Sequence, residues 1–385
     1  SKLIKKYKIN RVVWNRLYSK KSISRDTKIK QDLKEKNIEV ETFNAHLLNE
    51  PWEVQNNSGL YFKVFTPYWR KAFDVYKAKK YQITSLKSID PLEHNEKTQW
   101  NFLPSKKWYQ KFSNYWKPGE EAALEKLKYY INNHIDNYKE GRDRPDLDQT
   151  SRLSPHLRFG EISPRMIVNQ VIKSKKLDIS SLTFLSEIGW REFSYSLLYY
   201  SKDLSTMPIN EKFSKFPWRK NEKDLNLWKK GKTGIPLIDA AMRQIYDNGW
   251  MHNRLRMVVG SFLVKNLLLN WTYGERYFQN TLLDYDEASN AAGWQWIAGC
   301  GADASPYFRV FNPVLQSERF DPQAKFILKY LPDLEELKKP SLIFQPYLSE
   351  ESLNNLVKNN QYYYPIVDLK DSRNRALEAY QRIKS

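Results

Sequence analysis

The feature that most constrains this chain is a change of grammar near residue 120. Before it, short alternating runs suggest strands; from Glu120 onward helical patterns dominate and no stretch reads as strand-rich. In the first part Asn10-Arg11-Val12-Val13-Trp14-Asn15 reads as a strand, Arg25 to Lys36 as a charged helix, and Ile38-Glu39-Val40-Glu41-Thr42-Phe43 as a second strand. Strand–helix–strand is βαβ grammar, and its natural product is a parallel sheet. Residues 51–116 are punctuated by Pro and aromatic residues and read as a connector with short helices. Gly119-Glu120-Glu121-Ala122-Ala123-Leu124-Glu125-Lys126-Leu127 opens a helix, and Asp239 to Asn270 holds two more, split near Asn248-Gly249. The expected class is α/β plus all-α: a partial parallel α/β unit over 1–50, the connector over 51–116, and a large helical domain over 117–385.

At 385 residues the chain exceeds one compact core, and 41% hydrophobic residues give it enough to bury. Lys and Arg exceed Asp and Glu by 19 charges. Such a surplus points to a polyanionic partner, nucleic acid above all, although a Lys-rich composition serving solubility has the same signature. The lysine-rich stretch from Lys212 to Lys232 is interleaved with Phe213, Phe216, Trp218 and Trp228. It reads either as a solvated loop or as a phosphate-facing rim. Thirteen Trp and 25 Tyr are a heavy aromatic load, which calls for packing, stacking or electron transfer. One cysteine, Cys300, excludes an internal disulfide and any cysteine-cluster metal site. No apolar run reaches the roughly 18 residues of a membrane span, and the polar start is unlike a signal peptide. A reducing, cytoplasmic setting is expected, with no metal.

Three segments carry chemistry. Thr150-Ser151-Arg152-Leu153-Ser154-Pro155 places hydroxyls just before a helix, where they cap helix starts or receive phosphate. Asn248-Gly249-Trp250-Met251-His252-Asn253-Arg254-Leu255-Arg256-Met257 puts Asn253 and Met257 on one helix face, with Arg256 at its edge. The ordinary reading is an amphipathic helix with a solvated Arg pair, yet so many inward polar groups demand partners. Asp284-Tyr285-Asp286-Glu287-Ala288-Ser289-Asn290-Ala291-Ala292-Gly293-Trp294-Gln295-Trp296 sets small residues between acids and tryptophans, which admits a flat ligand. It continues into the string from Gly301 to Pro313.

Together, in this order and spacing, these strings resemble the photolyase/cryptochrome family, densely from about Tyr61 to Pro332 and most of all class I cyclobutane pyrimidine dimer photolyases. The resemblance implies a Rossmann-like N-terminal α/β domain and a helical domain holding FAD, active as reduced FADH−. In that family the positions of Tyr138 and of Thr150, Ser151, Arg152, Leu153 and Ser154 hold the phosphates. Asp284, Tyr285 and Asp286 match the flavin side, Arg256 matches the partner of the first acid, and Asn290 matches the residue facing flavin N5. Plant cryptochromes tend to carry Asp there and animal ones Cys, so Asn favours repair over signalling. Glu187 matches the carboxyl group that grips the dimer, Trp190 and Trp296 match the aromatic walls, and Asn253 and Met257 match further cavity contacts. Arg142, Arg191, Arg254, Arg309 and Gln316 match the rim that meets the DNA backbone. Trp294, Trp271 and Trp218 match a chain carrying electrons from the surface to the flavin. A lone tryptophan is ordinarily core packing; three at matching positions are not so easily explained.

The implied activity is that of a deoxyribodipyrimidine photo-lyase. Light excites reduced FAD, an electron passes to a flipped-out cyclobutane dimer in damaged DNA, the ring opens and the electron returns. The implied partner is DNA, the expected state a monomer associated with the nucleoid. The rival readings are a cryptochrome-like blue-light receptor and a DNA-binding remnant without FAD. The family's opening strand, with paired arginines and an Asp-Leu-Arg string, has no counterpart here, so the α/β domain, commonly about 130 residues or more, is expected to be N-terminally incomplete. That leaves the antenna chromophore, folate or deazaflavin, open. Lys20-Lys21-Ser22-Ile23-Ser24-Arg25-Asp26 also lacks the acid expected for folate.

Overall fold

The computed structural model describes residues 2–79, 105–174, 177–304, 306–307 and 309–384. The middle of the expected connector, and Ser305 and Phe308 of the Gly301–Pro313 string, lie outside them.

Helix α1 (Lys2–Tyr7) leads into β1 (Arg11–Asn15), α2 (Lys20–Lys34) and β2 (Glu39–Phe43). The strands pair in parallel, Arg11 opposite Glu39 through Asn15 opposite Phe43, as the βαβ reading requires. Helix α2 starts five residues before the expected Arg25, because Ser19 caps it: the Ser22 N–H donates to Ser19 Oγ at 3.4 Å. Within this unit Glu50 pairs with Arg16 and accepts from the Tyr18 hydroxyl at 3.0 Å, and the unit is tied to the helical body where the Leu48 N–H donates to Glu192 at 2.9 Å.

The segment expected as a connector contributes a full helix, α3 (Phe65–Ala78). Phe65, Tyr68, Ala72 and Tyr76 form its buried face at helical spacing, a periodicity that the surrounding Pro and aromatic residues obscured. Then follow α4 (Glu120–Asn133), α5 (Tyr138–Gly141), α6 (Ser154–Phe159), α7 (Pro164–Ser174) and α8 (Ile179–Tyr200). Helix α8, of 22 residues, opens with a reciprocal capping box between Asp178 and Ser181. It runs through the molecule, packed between α3 and α13.

Next come α9 (Glu222–Lys229), α10 (Pro236–Asn248), α11 (Asn253–Ser261), α12 (Trp271–Thr281) and α13 (Glu287–Ala298). The break between α10 and α11 falls where expected: Gly249 ends α10 at φ +71°, a left-handed conformation natural to glycine. Helix α11 runs on into a π-helical turn, Phe262–Asn266. Helices α14 (Pro313–Phe320), α15 (Lys325–Tyr330), α16 (Pro340–Phe344), α17 (Glu350–Lys358) and α18 (Leu369–Lys384) complete the body. Among the described residues beyond 120, the only strand-like pairing is an isolated bridge between Arg219 and Leu269.

The largest core is built on α10 to α13 and the C-terminal helices, where Ile238, Met242, Val258, Leu263 and Ile327 are fully enclosed. Each such side chain contributes about 1.5–3 kcal/mol relative to exposure. A second core lies among α4, α7 and α8, and a third joins α3, α8 and α13. The functional cavity opens between these cores.

Candidate active site

The cavity holds about 550 Å³ and takes its walls from α5, the run before α6, and helices α8, α11 and α13. That size falls in the ~300–1,000 Å³ range of small-molecule sites. Most of the residues singled out from sequence meet there, and they sort into a hydroxyl-rich end, a floor and a rim.

At the hydroxyl end, Thr150, Ser151, Arg152, Leu153 and Ser154 all line the cavity, with Tyr138 nearby. None of their hydroxyls caps α6. Leu153 occupies the cap position without a side-chain bond, and Ser154 Oγ instead accepts the Trp250 indole N–H at 3.2 Å. Arg152 adopts φ +49°, sets its guanidinium 5.2 Å above the Trp250 ring and pairs with Asp148 at 3.1 Å. Its buried Nε has no partner. A polar strand of hydroxyls beside a strained arginine suits anionic groups.

The floor is already paired. Arg256 Nη2 donates to both Asp284 oxygens, at 3.0 and 2.8 Å, while its Nε holds the Met251 carbonyl at 2.8 Å. Only 2% of the Asp284 side chain is exposed. Asp286 caps α13 by accepting Ser289 N–H at 2.8 Å and takes the Tyr195 hydroxyl at 2.6 Å. Burial would raise its pKa, but Arg191, Tyr195 and Ser289 outweigh burial and hold the carboxyl below its ordinary value. The Asn290 amide donates to the Glu275 carbonyl at 3.1 Å and to Glu275 Oε1 at 3.0 Å, leaving its oxygen for the cavity. Glu275 is itself raised, chiefly by burial. Sequence patterns did not reveal it, because nothing local marks a helical glutamate whose burial comes from tertiary packing.

The rim differs. Glu187 and Arg142 form an ion pair of 2.5 Å with both side chains about a quarter exposed. Burial raises the Glu187 pKa and Arg142 opposes the rise. Arg254 is held by Asp143 at 2.5 Å and lies 4.5 Å above the Phe320 ring. Asn253 and Met257 sit one turn apart on the cavity wall, as their spacing required. Trp190 stacks on Phe65, centroids 3.8 Å apart, and Trp296 lines the wall half-buried.

One rim assignment needs correcting. Arg191 turns inward: its side chain is 10% exposed, donates to the His46 carbonyl at 2.5 Å and stands 3.9 Å from Asp286. The burial of its neighbours on α8 carries it in, and it braces the floor instead of facing outward. Arg309 is exposed and Gln316 half-buried, both outside the cavity lining.

Of the three tryptophans, Trp294 lines the cavity and is 4% exposed, Trp271 is buried and Trp218 is half-buried beside Phe216. Trp294 lies directly on Gly274, where an added Cβ would come within 2.1 Å of its ring. Gly274 is one turn beyond Trp271 on α12, so the close approach brings the two indoles to the same helix face.

The donor set fits a long ligand with an anionic middle and a flat heterocycle. The hydroxyls and Arg152 would take the first, and Asp284, Arg256, Asp286 and Asn290 the second, against apolar Trp294, Met257 and Leu282. Among the described residues no His/Cys/Asp/Glu cluster could hold a metal ion, and no helix is long and apolar enough to cross a membrane.

Comparison with known proteins agrees with this geometry. Residues 184–382 match the family model described as the FAD binding domain of DNA photolyase, and residues 1–87 match the DNA photolyase model. A deoxyribodipyrimidine photo-lyase of Agrobacterium fabrum is 42% identical over 97% of this chain and 80% of its own length. A bacterial class III photolyase from Agrobacterium tumefaciens superposes with a TM-score of 0.88 at 40% identity, covering 100% of this chain and 81% of that one. A Synechocystis cryptochrome superposes with a TM-score of 0.81 at 26% identity, over 98% of this chain and 80% of its own. With a family model covering more than half of its length and a relative this similar over nearly all of it, the chain belongs to the DNA photolyase family.

Proposed function

We propose that this protein is a deoxyribodipyrimidine photo-lyase that binds FAD in the cavity and repairs cyclobutane pyrimidine dimers in DNA under light. The observation that carries this reading is the meeting, in one cavity, of a pre-paired acid–amide floor and a rim of Glu187, Trp190 and Trp296. When bound, reduced FAD supplies the light-excited electron that opens the cyclobutane ring.

The residues of the chain do the rest. Thr150, Ser151 and Arg152 would hold the phosphates. Asp284, with Arg256 behind it, would accept a ring N–H, and the Asn290 carbonyl would face the neighbouring nitrogen. Taking a dimer out of the stack costs about a few kcal/mol, which Trp190 and Trp296 would recover by contact with the flipped bases. Glu187, released from Arg142, would hydrogen-bond the dimer carbonyls. Arg142, Arg254 and Arg309, with Gln316, would meet phosphates, giving affinity without sequence preference. Trp271 and Trp218 would pass electrons through Trp294 to restore the reduced cofactor. The protein would act as a monomer associated with the nucleoid through DNA.

The test is light-dependent recovery of thymine absorbance from an oligothymidine carrying dimers, using reduced protein. Recovery in light and not in darkness supports repair. Bound, reduced FAD without recovery would favour a cryptochrome-like receptor, and protein without FAD would favour the DNA-binding remnant.

A further inference from the structure

Lys265 is fully buried, with 0% of its surface exposed, in the π-helical turn that extends α11. A lysine so placed ordinarily finds a carboxylate, and among the described residues none pairs with it. Its ammonium donates to the backbone carbonyl of Arg309 at 2.7 Å and stands 5.4 Å from the Tyr307 ring. The other charged groups near this turn are Arg309 itself, Arg375 of α18 on the Asn266 carbonyl, and Arg219 on the Leu267 carbonyl, with one carboxylate, Asp224, 3.9 Å from Arg219 and not paired with the lysine. Tyr307 is the titratable neighbour, buried and stacked on Tyr380 at 4.8 Å.

The same helix holds the same segment a second time, since the Phe311 N–H donates to Ser261 Oγ at 3.1 Å. Two side chains one turn apart therefore clasp the backbone on either side of Val310. Between them the Arg309 side chain stays exposed. Single π-helical turns inside α-helices are frequent at functional sites.

We propose that Lys265 is a positioning residue for DNA binding: its buried ammonium grips the Arg309 carbonyl and so aims the Arg309 guanidinium at a DNA phosphate. This rests on the reading of Arg309 as a backbone contact. The grip is charge-assisted only while the lysine is protonated. Burial, with Arg309 adding to it, pushes the Lys265 pKa down to about 7. Below that value the folded chain carries an unpaired buried charge that the unfolded chain would leave in water, so the grip is held at a cost to stability.

Lys265→Met separates this from a purely structural role. It should raise the melting temperature at pH 6 while weakening binding of damaged and intact duplexes alike by severalfold. The slope of log K against log salt should fall by about 1, the loss of one phosphate contact. Arg309→Ala should lose the same slope, and the double variant no more than either alone. In the wild type the slope should shrink from pH 6 to pH 8.5, and in Lys265→Met it should not change.

A lower melting temperature with an unchanged salt slope, or a double variant that loses twice the slope, would overturn the proposal. Should Lys265→Met fail to fold, a wild-type slope equal at both pH values would overturn it as well. An unaltered slope in Arg309→Ala would remove Arg309 from the DNA, and this inference with it, whereas the light-dependent repair assay judges the function separately.

Discussion

The floor and the rim of the cavity are both made of arginine–carboxylate pairs, yet they differ in which partner is out of water. On the floor the Asp284 side chain is 2% exposed, and Arg256 is further tied to a backbone carbonyl. On the rim Glu187 and Asp143 keep 28% and 31% of their side chains exposed. A carboxylate shut off from water cannot replace its arginine, whereas one that keeps over a quarter of its side chain exposed exchanges it for water at lower cost, even where burial raises its pKa as in Glu187. The floor is thus built to be permanent. If the rim meets DNA as proposed, its arginines would pass from these carboxylates to phosphates when a duplex arrives.

The hardest test of that contrast is Asp284→Asn, which should abolish the yellow colour of the purified protein. It should also cost about 3 kcal/mol of stability, because Arg256 is left without its buried partner; absorbance and thermal melting read both. A variant that kept FAD and its melting temperature would show that the floor is no more fixed than the rim. Glu187→Ala should retain FAD and fold normally, yet slow repair of bound dimers by about tenfold or more, the value of a hydrogen bond to a charged group. Single-turnover illumination would show it.

Glu192 sharpens the comparison from a third side. It follows Arg191 on α8, is 2% exposed, and accepts the Leu48 N–H at 2.9 Å and the Asn49 N–H at 3.3 Å. Burial raises its pKa to about 7 against the pull of Arg191 and those N–H groups. A raised carboxylate adds stability that is complete below its unfolded pKa and lost as pH climbs through the folded value. Glu192→Gln should therefore gain on the wild type between pH 5 and pH 8, by on the order of 2 kcal/mol. Melting temperatures at the two pH values decide it, and a constant difference would mean that the carboxyl is ionised throughout. The smallest effect belongs to Asp143→Asn. Stability should change by less than about 0.5 kcal/mol, while freeing Arg254 should tighten DNA binding slightly at low salt.

The strand pair and the α10–α11 break were legible because each is local. Alternation sets the first, and a glycine suited to positive φ sets the second. The Arg256–Asp284 pair was legible through family resemblance, and the structure brings the two together across 28 residues. What escaped the sequence shares one cause. Helix α3 hid its apolar stripe among prolines and tyrosines. Arg191, Glu192, Glu275 and Lys265 are charged residues in unremarkable helical stretches, and only the neighbouring elements decide that they point inward. The hydroxyls before α6 resembled a cap, and only the backbone reveals that Leu153 holds that place.

The orientation of the Asn290 amide has a consequence of its own. With both its hydrogens directed at Glu275, the group shows the cavity a lone pair and nothing else. A nitrogen that bears a hydrogen is welcomed there, and a bare one meets repulsion. The wall is therefore a polarised electrode surface in miniature, biasing the midpoint potential of any heterocycle laid against it toward the hydrogen-carrying side of its couple.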